Sequence, residues 1–297
     1  MQFSPRGSWV ALVTPMQEDG GVDENALGRL IDAHVAAGTD GIVLAGTTGE
    51  SAALDETEYA TLLEAAIRCA DGRLPLMAGV GSPATRKAVS LAAIAEGLGV
   101  DALLCVTPYY LRTTQKGLEG HYHALTDAVD LPLVLYNVPS RTGVDLLPET
   151  VGALSRLESV VGIKEAVADP ARIDALVDAC AVGFAIMSGD DASCLDTLQH
   201  GGVGVISVTA NVVPGSMVEL CDAARDENWG RAKKIQAHLA PLHRALMAEP
   251  NPIPVKALLH RLGRIGPGIR RPLVPASGAL VEELMQMVRQ DYQSELL

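Results

Sequence analysis

Short apolar runs rich in branched side chains recur along the chain, at residues 9–14, 41–46, 76–80, 102–107, 133–137, 160–164, 185–188 and 204–208. Each is closed by Gly, Pro or polar residues, the pattern of short buried strands. Between them the apolar positions change to helical spacing, as at 25–37, 57–70, 85–98 and 118–129. Strands alternating with helices predict βα units and a parallel sheet. Eight such units predict an α/β fold of the closed (β/α)8 TIM-barrel type rather than an open doubly wound sheet. The open sheet would carry GxGxxG after its first strand. Here the first run ends in Thr14-Pro15, and Gly79-x-Gly81 lacks the third glycine.

From about residue 218 the strand pattern stops. Helices are expected at 217–226, 229–247, 254–262 and 278–290, the last two separated by Gly266-Pro267-Gly268 and by the prolines of 272–275. The expected organisation is a catalytic barrel over 1–224 and a small α-helical C-terminal extension over 225–297, too small to stand alone and packed on the barrel.

Composition fits that picture and removes other classes. The 297 residues are 48% hydrophobic but only 3% aromatic, so Ala, Val, Leu and Ile carry the core. A net charge of −13 argues against nucleic acid, whose phosphates need clustered Lys and Arg. It leaves room for a small anion, because one or two buried arginines set a site's local sign. No basic segment followed by an apolar run opens the chain, and no apolar run is long enough for a membrane span, so a soluble cytoplasmic protein is expected. The five cysteines (69, 105, 180, 194 and 221) are scattered and lack CxxC spacing. They read as small buried hydrophobes in a reducing compartment, not as disulfides or metal ligands.

In a barrel, polar residues at the C-terminal ends of strands are the candidates for chemistry. Here they are Gly46-Thr47-Thr48-Gly49-Glu50-Ser51, Thr107-Pro108-Tyr109-Tyr110, Tyr136 to Gly143, Lys164-Glu165 and Ser188-Gly189-Asp190-Asp191. Of six lysines, five (87, 116, 233, 234 and 256) lie in helical stretches and read as solvated, whereas Lys164 follows the strand-like run Val160-Val161-Gly162-Ile163. A desolvated barrel mouth disfavours the ammonium, and a neutral amine there adds to a carbonyl to give a Schiff base. The other roles open to Lys164 are a structural ion pair with a carboxylate such as Glu165, or phosphate binding. Tyr136 ends the neighbouring strand, where a phenol serves as proton shuttle; a core tyrosine with a satisfied hydroxyl is the alternative. Thr47-Thr48-Gly49-Glu50 offers consecutive N–H groups and two hydroxyls, a nest for a carboxylate or else a plain turn. Gly49 there would let the backbone approach a ligand. Arg141 offers a fork for a second carboxylate, or a surface salt bridge. Asp190 and Asp191 read as caps of a helix over 194–200. His121 and His123 do not share a helix face, and no group in the sequence has metal-ligand spacing.

The chain resembles the dihydrodipicolinate synthase and N-acetylneuraminate lyase superfamily, and within it the branch formed by the 4-hydroxy-tetrahydrodipicolinate synthases. The likeness runs collinearly from Ala11-Leu12-Val13-Thr14-Pro15 to Asn251-Pro252-Ile253-Pro254-Val255-Lys256. Gly-Thr-Thr-Gly-Glu at 46–50 and Gly-Ile-Lys-Glu-Ala at 162–166 are superfamily motifs, and Tyr-Asn-Val-Pro-Ser-Arg-Thr-Gly at 136–143 is the more specific one. The resemblance implies that Lys164 forms the Schiff base with pyruvate. It implies a relay of Tyr136, Thr48 and Tyr110, with Tyr110 reaching a neighbouring subunit's site. Thr47, Thr48 and Gly49 would hold the pyruvate carboxylate, Gly189 and Ile206 would line its pocket, and Arg141 would bind L-aspartate 4-semialdehyde. Condensation and ring closure would give 4-hydroxy-tetrahydrodipicolinate, on the route to diaminopimelate and lysine, in a homotetramer (a dimer of dimers) with no metal or organic cofactor. An effector site for lysine would be drawn from Ser51, Ala52, Glu56, Tyr59, Pro83, Lys87 and Tyr109. Glu56 and Tyr59 stand where lysine-sensitive members carry histidines, Pro83 replaces an asparagine and Lys87 a glutamate, so lysine is expected to act weakly or not at all. The competing expectations are a lyase for another 2-keto-3-deoxy acid such as N-acetylneuraminate, which the Arg141 motif disfavours, and a non-catalytic barrel that binds small acids.

Overall fold

The computed structural model describes residues 3–294 and 296. In these residues eight strands close into one barrel: β1 Gly7–Ala11, β2 Gly41–Leu44, β3 Leu76–Gly79, β4 Ala102–Val106, β5 Leu133–Asn137, β6 Val160–Glu165, β7 Ala185–Ser188 and β8 Gly204–Ser207. Each strand pairs in parallel with the next in sequence, and β8 closes on β1. The expected (β/α)8 barrel is the observed one. The largest departure in strand limits is β1, expected at 9–14. Leu12 N still donates to Val43 O (3.0 Å), and beyond it the chain is held by side chains: Asn211 Oδ1 accepts from Val13 N (3.0 Å), and Thr14 Oγ1 donates to Gly49 O (2.7 Å).

Strand side chains alternate between two apolar environments, which is why the strand runs are apolar almost throughout. Trp9, Ala11, Val43, Met77, Leu104, Val134, Tyr136, Met187 and Ile206 fill the barrel interior. Val10, Ile42, Leu103, Leu135, Ile163, Ile186 and Val205 face outward into the layer of helices. The β5–β6 register shifts at Leu133/Val134, after which Tyr136 is opposite Lys164. That parity turns Lys164 inward and leaves Ile163 and Glu165 to face the helical layer.

The helices begin where the sequence supplies caps. Asp55 and Glu58 form a reciprocal capping box on the helix Glu56–Ala70, Asp23 caps Glu24–Ala37, and Thr114 caps Gln115–Thr126. The C-terminal helices Trp229–Ala245, Ile253–Arg261 and Gly278–Met287 add Leu239, Leu242, Leu258, Leu259 and Leu284 to the outer core without a break.

One lysine departs from the expectation that five are solvated. Lys256, on Ile253–Arg261, is only 3% exposed and pairs with the fully buried carboxylate of Glu50. Glu50 Oε2 also accepts from Arg270 N at 2.9 Å, and Arg270 Nη1 reaches Ala53 O and Glu58 Oε2 at 2.6 Å each. These links fix the loop after β2 to a segment more than two hundred residues downstream, as a buried charge must be paired to be tolerated.

Candidate active site

A cavity of about 230 Å³ opens at the C-terminal mouth of the barrel, lined among others by Thr47, Thr48, Tyr136, Arg141, Lys164, Gly189, Asp190, Asp191 and Asn251. Lys164 projects into it from β6, between Tyr136 on β5 and Met187 on β7 in register. It is 5% exposed and forms no ion pair among the described residues. Burial draws its pKa from 10.5 down to about 8; Asp191 and Asp190 oppose that shift and Arg141 adds to it. Its Nζ lies 4.6 Å from the centroid of the Tyr136 ring.

The adjacent carboxylate is turned away. Glu165 faces outward, where its oxygens accept from Asn137 Nδ2 (3.1 Å), Val167 N (2.9 Å) and Arg172 Nε (3.1 Å). A structural Lys164–Glu165 pair is therefore excluded, and Glu165 instead ties the end of β6 to that of β5.

Burial raises the Tyr136 phenol pKa, offset in part by Arg141 and a hydrogen bond with Thr47. The resting site thus holds a neutral phenol rather than the phenolate that a nearby cation would favour. Thr48 Oγ1 accepts from Asn251 Nδ2 at 3.0 Å. Among the described residues, none of the backbone N–H groups of Thr47, Thr48 and Gly49 donates to a protein acceptor. Consecutive free donors beside a cation and hydroxyls have the chemistry to hold a carboxylate. Arg141 lines this cavity and a second one of about 370 Å³, and it has no ion-pair partner among the described residues.

The expectations for Ile206 and for the acidic pair land elsewhere, whereas Gly49 has a packing role besides the expected one and Tyr110 stays free to reach a neighbouring subunit. Gly49 is needed for packing against backbone: a Cβ there would lie 3.1 Å from Ala45 N and 3.2 Å from Leu12 O. Ile206 lies in the inner core, 1% exposed, and does not line the cavity; Gly189 does. Tyr110 is 88% exposed and lies outside the cavity of its own chain. The acidic side chains do not bond the first N–H groups of the helix Cys194–Gln199, and the side chain of its N-cap Ser193 does not cap it either. Asp190 Oδ2 accepts from Ser193 N (2.9 Å) and Oγ (2.7 Å), whereas Asp191 Oδ2 accepts from Val208 N and Thr209 N (2.9 Å each) just beyond β8. Two unpaired N–H groups at a strand end are the stronger attraction for a buried carboxylate.

The expected effector residues divide three ways. Ser51, Ala52 and Tyr109 line the second cavity. Glu56 and Lys87 form an ion pair of 2.6 Å on the surface, and Pro83 is half-buried near them in sequence. Tyr59 is 3% exposed in the outer core, on the inner face of its helix with Leu62 and Leu63. It is not available to a surface ligand. Among the described residues no group of three or more His, Cys, Asp or Glu could hold a metal ion, and no helix is long and apolar enough to cross a membrane. Sequence reasoning did not single out Asn251 or Met247 as cavity residues. Asn251 precedes a proline and a helix, which in sequence signals only a turn.

Residues 4–291 match the sequence profile of the dihydrodipicolinate synthetase family. The 4-hydroxy-tetrahydrodipicolinate synthase of Methylococcus capsulatus is 48% identical over 285 residues, covering 96% of this chain and 98% of its own length. The structure is similar to that of the chloride-inhibited dihydrodipicolinate synthase from Acinetobacter baumannii complexed with pyruvate, with a TM-score of 0.94 and 45% identity over 96% of this chain and 98% of the other. A monomeric dihydrodipicolinate synthase variant is similar to the same degree, with a TM-score of 0.94 and 41% identity over 96% of both chains.

The burial of Lys164 has a consequence for stability. A pKa lowered from 10.5 to about 8 makes the charged side chain a destabilising feature, by up to about 3 kcal/mol. The unfolded chain binds more protons between the two values, so the penalty is full below about pH 8 and fades as pH climbs toward 10.5. Lys164→Met, similar in length and uncharged, should raise the urea midpoint at neutral pH by roughly 1–3 kcal/mol in stability. The gain should shrink across that alkaline window. Urea titrations at several pH values, on both proteins, check the sign and the window.

Proposed function

The chain belongs to the dihydrodipicolinate synthetase family, and from that premise we propose that its cavity joins pyruvate to L-aspartate 4-semialdehyde and cyclises the adduct to 4-hydroxy-tetrahydrodipicolinate. The enzyme is a lyase of lysine and diaminopimelate biosynthesis. The observation that carries this reading is the buried amine of Lys164, unpaired and lowered to a pKa of about 8, beside the ring of Tyr136.

With that pKa roughly a tenth of the amine is neutral at pH 7. The neutral Nζ adds to the ketone carbon of pyruvate, whose carboxylate rests on the free N–H groups of the loop after β2. The neutral Tyr136 phenol protonates the carbinolamine oxygen and water departs, leaving a protonated iminium. The iminium withdraws electrons from C3, which loses a proton to the tyrosinate and becomes the enamine carbon. That carbon attacks the aldehyde of the second substrate, whose carboxylate Arg141 binds, and the new alkoxide takes up a proton. The substrate amine then attacks the imine carbon, closes the ring and expels Lys164. The iminium is the electron sink, so the chemistry calls on no metal or organic cofactor.

Thr47 orients the Tyr136 phenol, and Thr48, held by Asn251, continues the relay. Tyr110 completes it from a second copy of the chain. Its 88% exposure, with Leu111 beside it at 62%, supports a role across a subunit contact in a dimer of dimers. Gly189 lines the pyruvate pocket, and the barrel of 1–224 carries the chemistry with 225–297 as its support.

Lys164→Ala should abolish covalent labelling by pyruvate and borohydride while the circular dichroism spectrum is unchanged; labelling at another lysine would sink the assignment. Arg141→Ala should raise the KM for the semialdehyde about ten- to a hundredfold, the worth of a charge-assisted carboxylate contact, and that for pyruvate far less. The unaltered enzyme should turn over this substrate pair in a coupled assay and leave N-acetylneuraminate uncleaved. L-lysine should inhibit weakly, because Glu56 is already neutralised by Lys87 and Tyr59 is buried. A lysine titration of the forward reaction giving half-inhibition below about 1 mM would contradict that.

A further inference from the structure

We propose that Asp191 is the buried counter-ion of the Schiff-base nitrogen on Lys164, keeping the iminium in its charged form. This rests on the aldolase reading above and adds a residue to it. Asp191 lines the cavity into which Lys164 projects and is only 4% exposed. One oxygen, Oδ2, is fixed by the N–H groups of Val208 and Thr209 at 2.9 Å each. The other, Oδ1, is buried and has no hydrogen-bond partner among the described residues. A carboxylate held this rigidly, with an unused oxygen in a desolvated site, is preorganised for a cation that forms during the reaction.

The other groups around it do not take that role. Asp190 is less buried, and its Oδ2 is engaged by Ser193. His243, facing Asp191 from the helix Trp229–Ala245, is held below its usual pKa by burial, and its Nδ1 pairs with Thr209 Oγ1 at 2.8 Å. The thiols of Cys194 and Cys221 are kept protonated by burial. Glu165 is committed to Arg172, and Arg141 has the same sign as the iminium. Lys164 itself lacks an ion-pair partner among the described residues, while Asp191 is the foremost charge acting against its neutralisation. The requirement is chemical as well as electrostatic: only the protonated imine draws electrons from C3, and burial without a counter-ion would release that proton.

Asp191→Asn separates charge from architecture, because the amide oxygen can still accept from Val208 and Thr209. In the variant the amine of Lys164 loses its neighbouring anion. The acid limb of pyruvate–borohydride trapping against pH should move down by about one unit. Exchange of the pyruvate methyl hydrogens with deuterated water, per trapped Schiff base, should fall by about tenfold or more. Asp190→Asn should move both less. A folded Asp191→Asn enzyme with an unmoved acid limb and an unchanged exchange rate would overturn the proposal, whatever its melting temperature. Absence of trapping in the unaltered enzyme would remove the Schiff base and both readings together; trapping with an unmoved limb and unchanged exchange removes Asp191 alone. Should Asp191→Asn not fold, pyruvate-difference infrared spectra of unaltered enzyme made with isotope-labelled aspartate decide. An aspartate carboxylate band that shifts on pyruvate binding, and still shifts in Asp190→Asn, supports the counter-ion; no shift refutes it.

Discussion

The structure turns on holding one lysine amine where water cannot solvate it. An ammonium in such a place is unfavourable, and the usual remedy is a close carboxylate. The barrel withholds it. The β5–β6 register turns Lys164 inward and the next side chain, Glu165, outward, where Arg172 and Asn137 occupy it. What remains near the amine is the face of Tyr136 and a carboxylate beyond ion-pair reach. The amine keeps a proton weakly enough to lose it near neutrality. A paired lysine would be more stable and chemically inert, so the instability of the position is inseparable from its reactivity.

The loop after β2 follows the same logic with the signs reversed. Its Thr47, Thr48 and Gly49 N–H groups have no protein acceptor among the described residues, and unpaired backbone donors cost stability unless something else fixes the loop. Glu50 does so from below: its carboxylate is fully buried against Lys256 and the Arg270 backbone. Thr14 and Asn251 hold the same loop from two further directions. The C-terminal helices thus help to build the site. Their charged and polar side chains set the geometry of a turn encoded two hundred residues earlier.

That distance explains what could be read from the sequence and what could not. Strand periodicity is local, so β5 and β7 have the limits their apolar runs predict, and the eightfold alternation is enough to close a barrel. Lys164 was legible because a lysine ending an apolar run is out of place. Lys256 was not: on a helix it looks like any solvated lysine, and only its distant partner Glu50 makes it a core residue. Asp191 and Asn251 were obscured for the same reason, since an aspartate before a helix suggests a cap and an Asn-Pro suggests a turn. Tyr59 shows the converse. Aligned by resemblance it belonged to a surface site, whereas helix phase places it among leucines in the core.

Electrostatics accounts for the rest of the design. A chain with a net charge of −13 must admit anionic substrates, and at physiological ionic strength the global field is screened within about 8 Å. What a substrate meets inside the mouth is local: free N–H groups, the Arg141 guanidinium and an amine that is mostly protonated until it reacts. Arg270, which lines the second cavity with Arg141, is tied up by Glu58, and Arg172 is held outside the barrel by Asp145 and Glu165. Arg141, lining both cavities with no ion-pair partner among the described residues, leaves its positive charge uncompensated at the rim. The site acquires direction from which cations are left free, and their total number matters less.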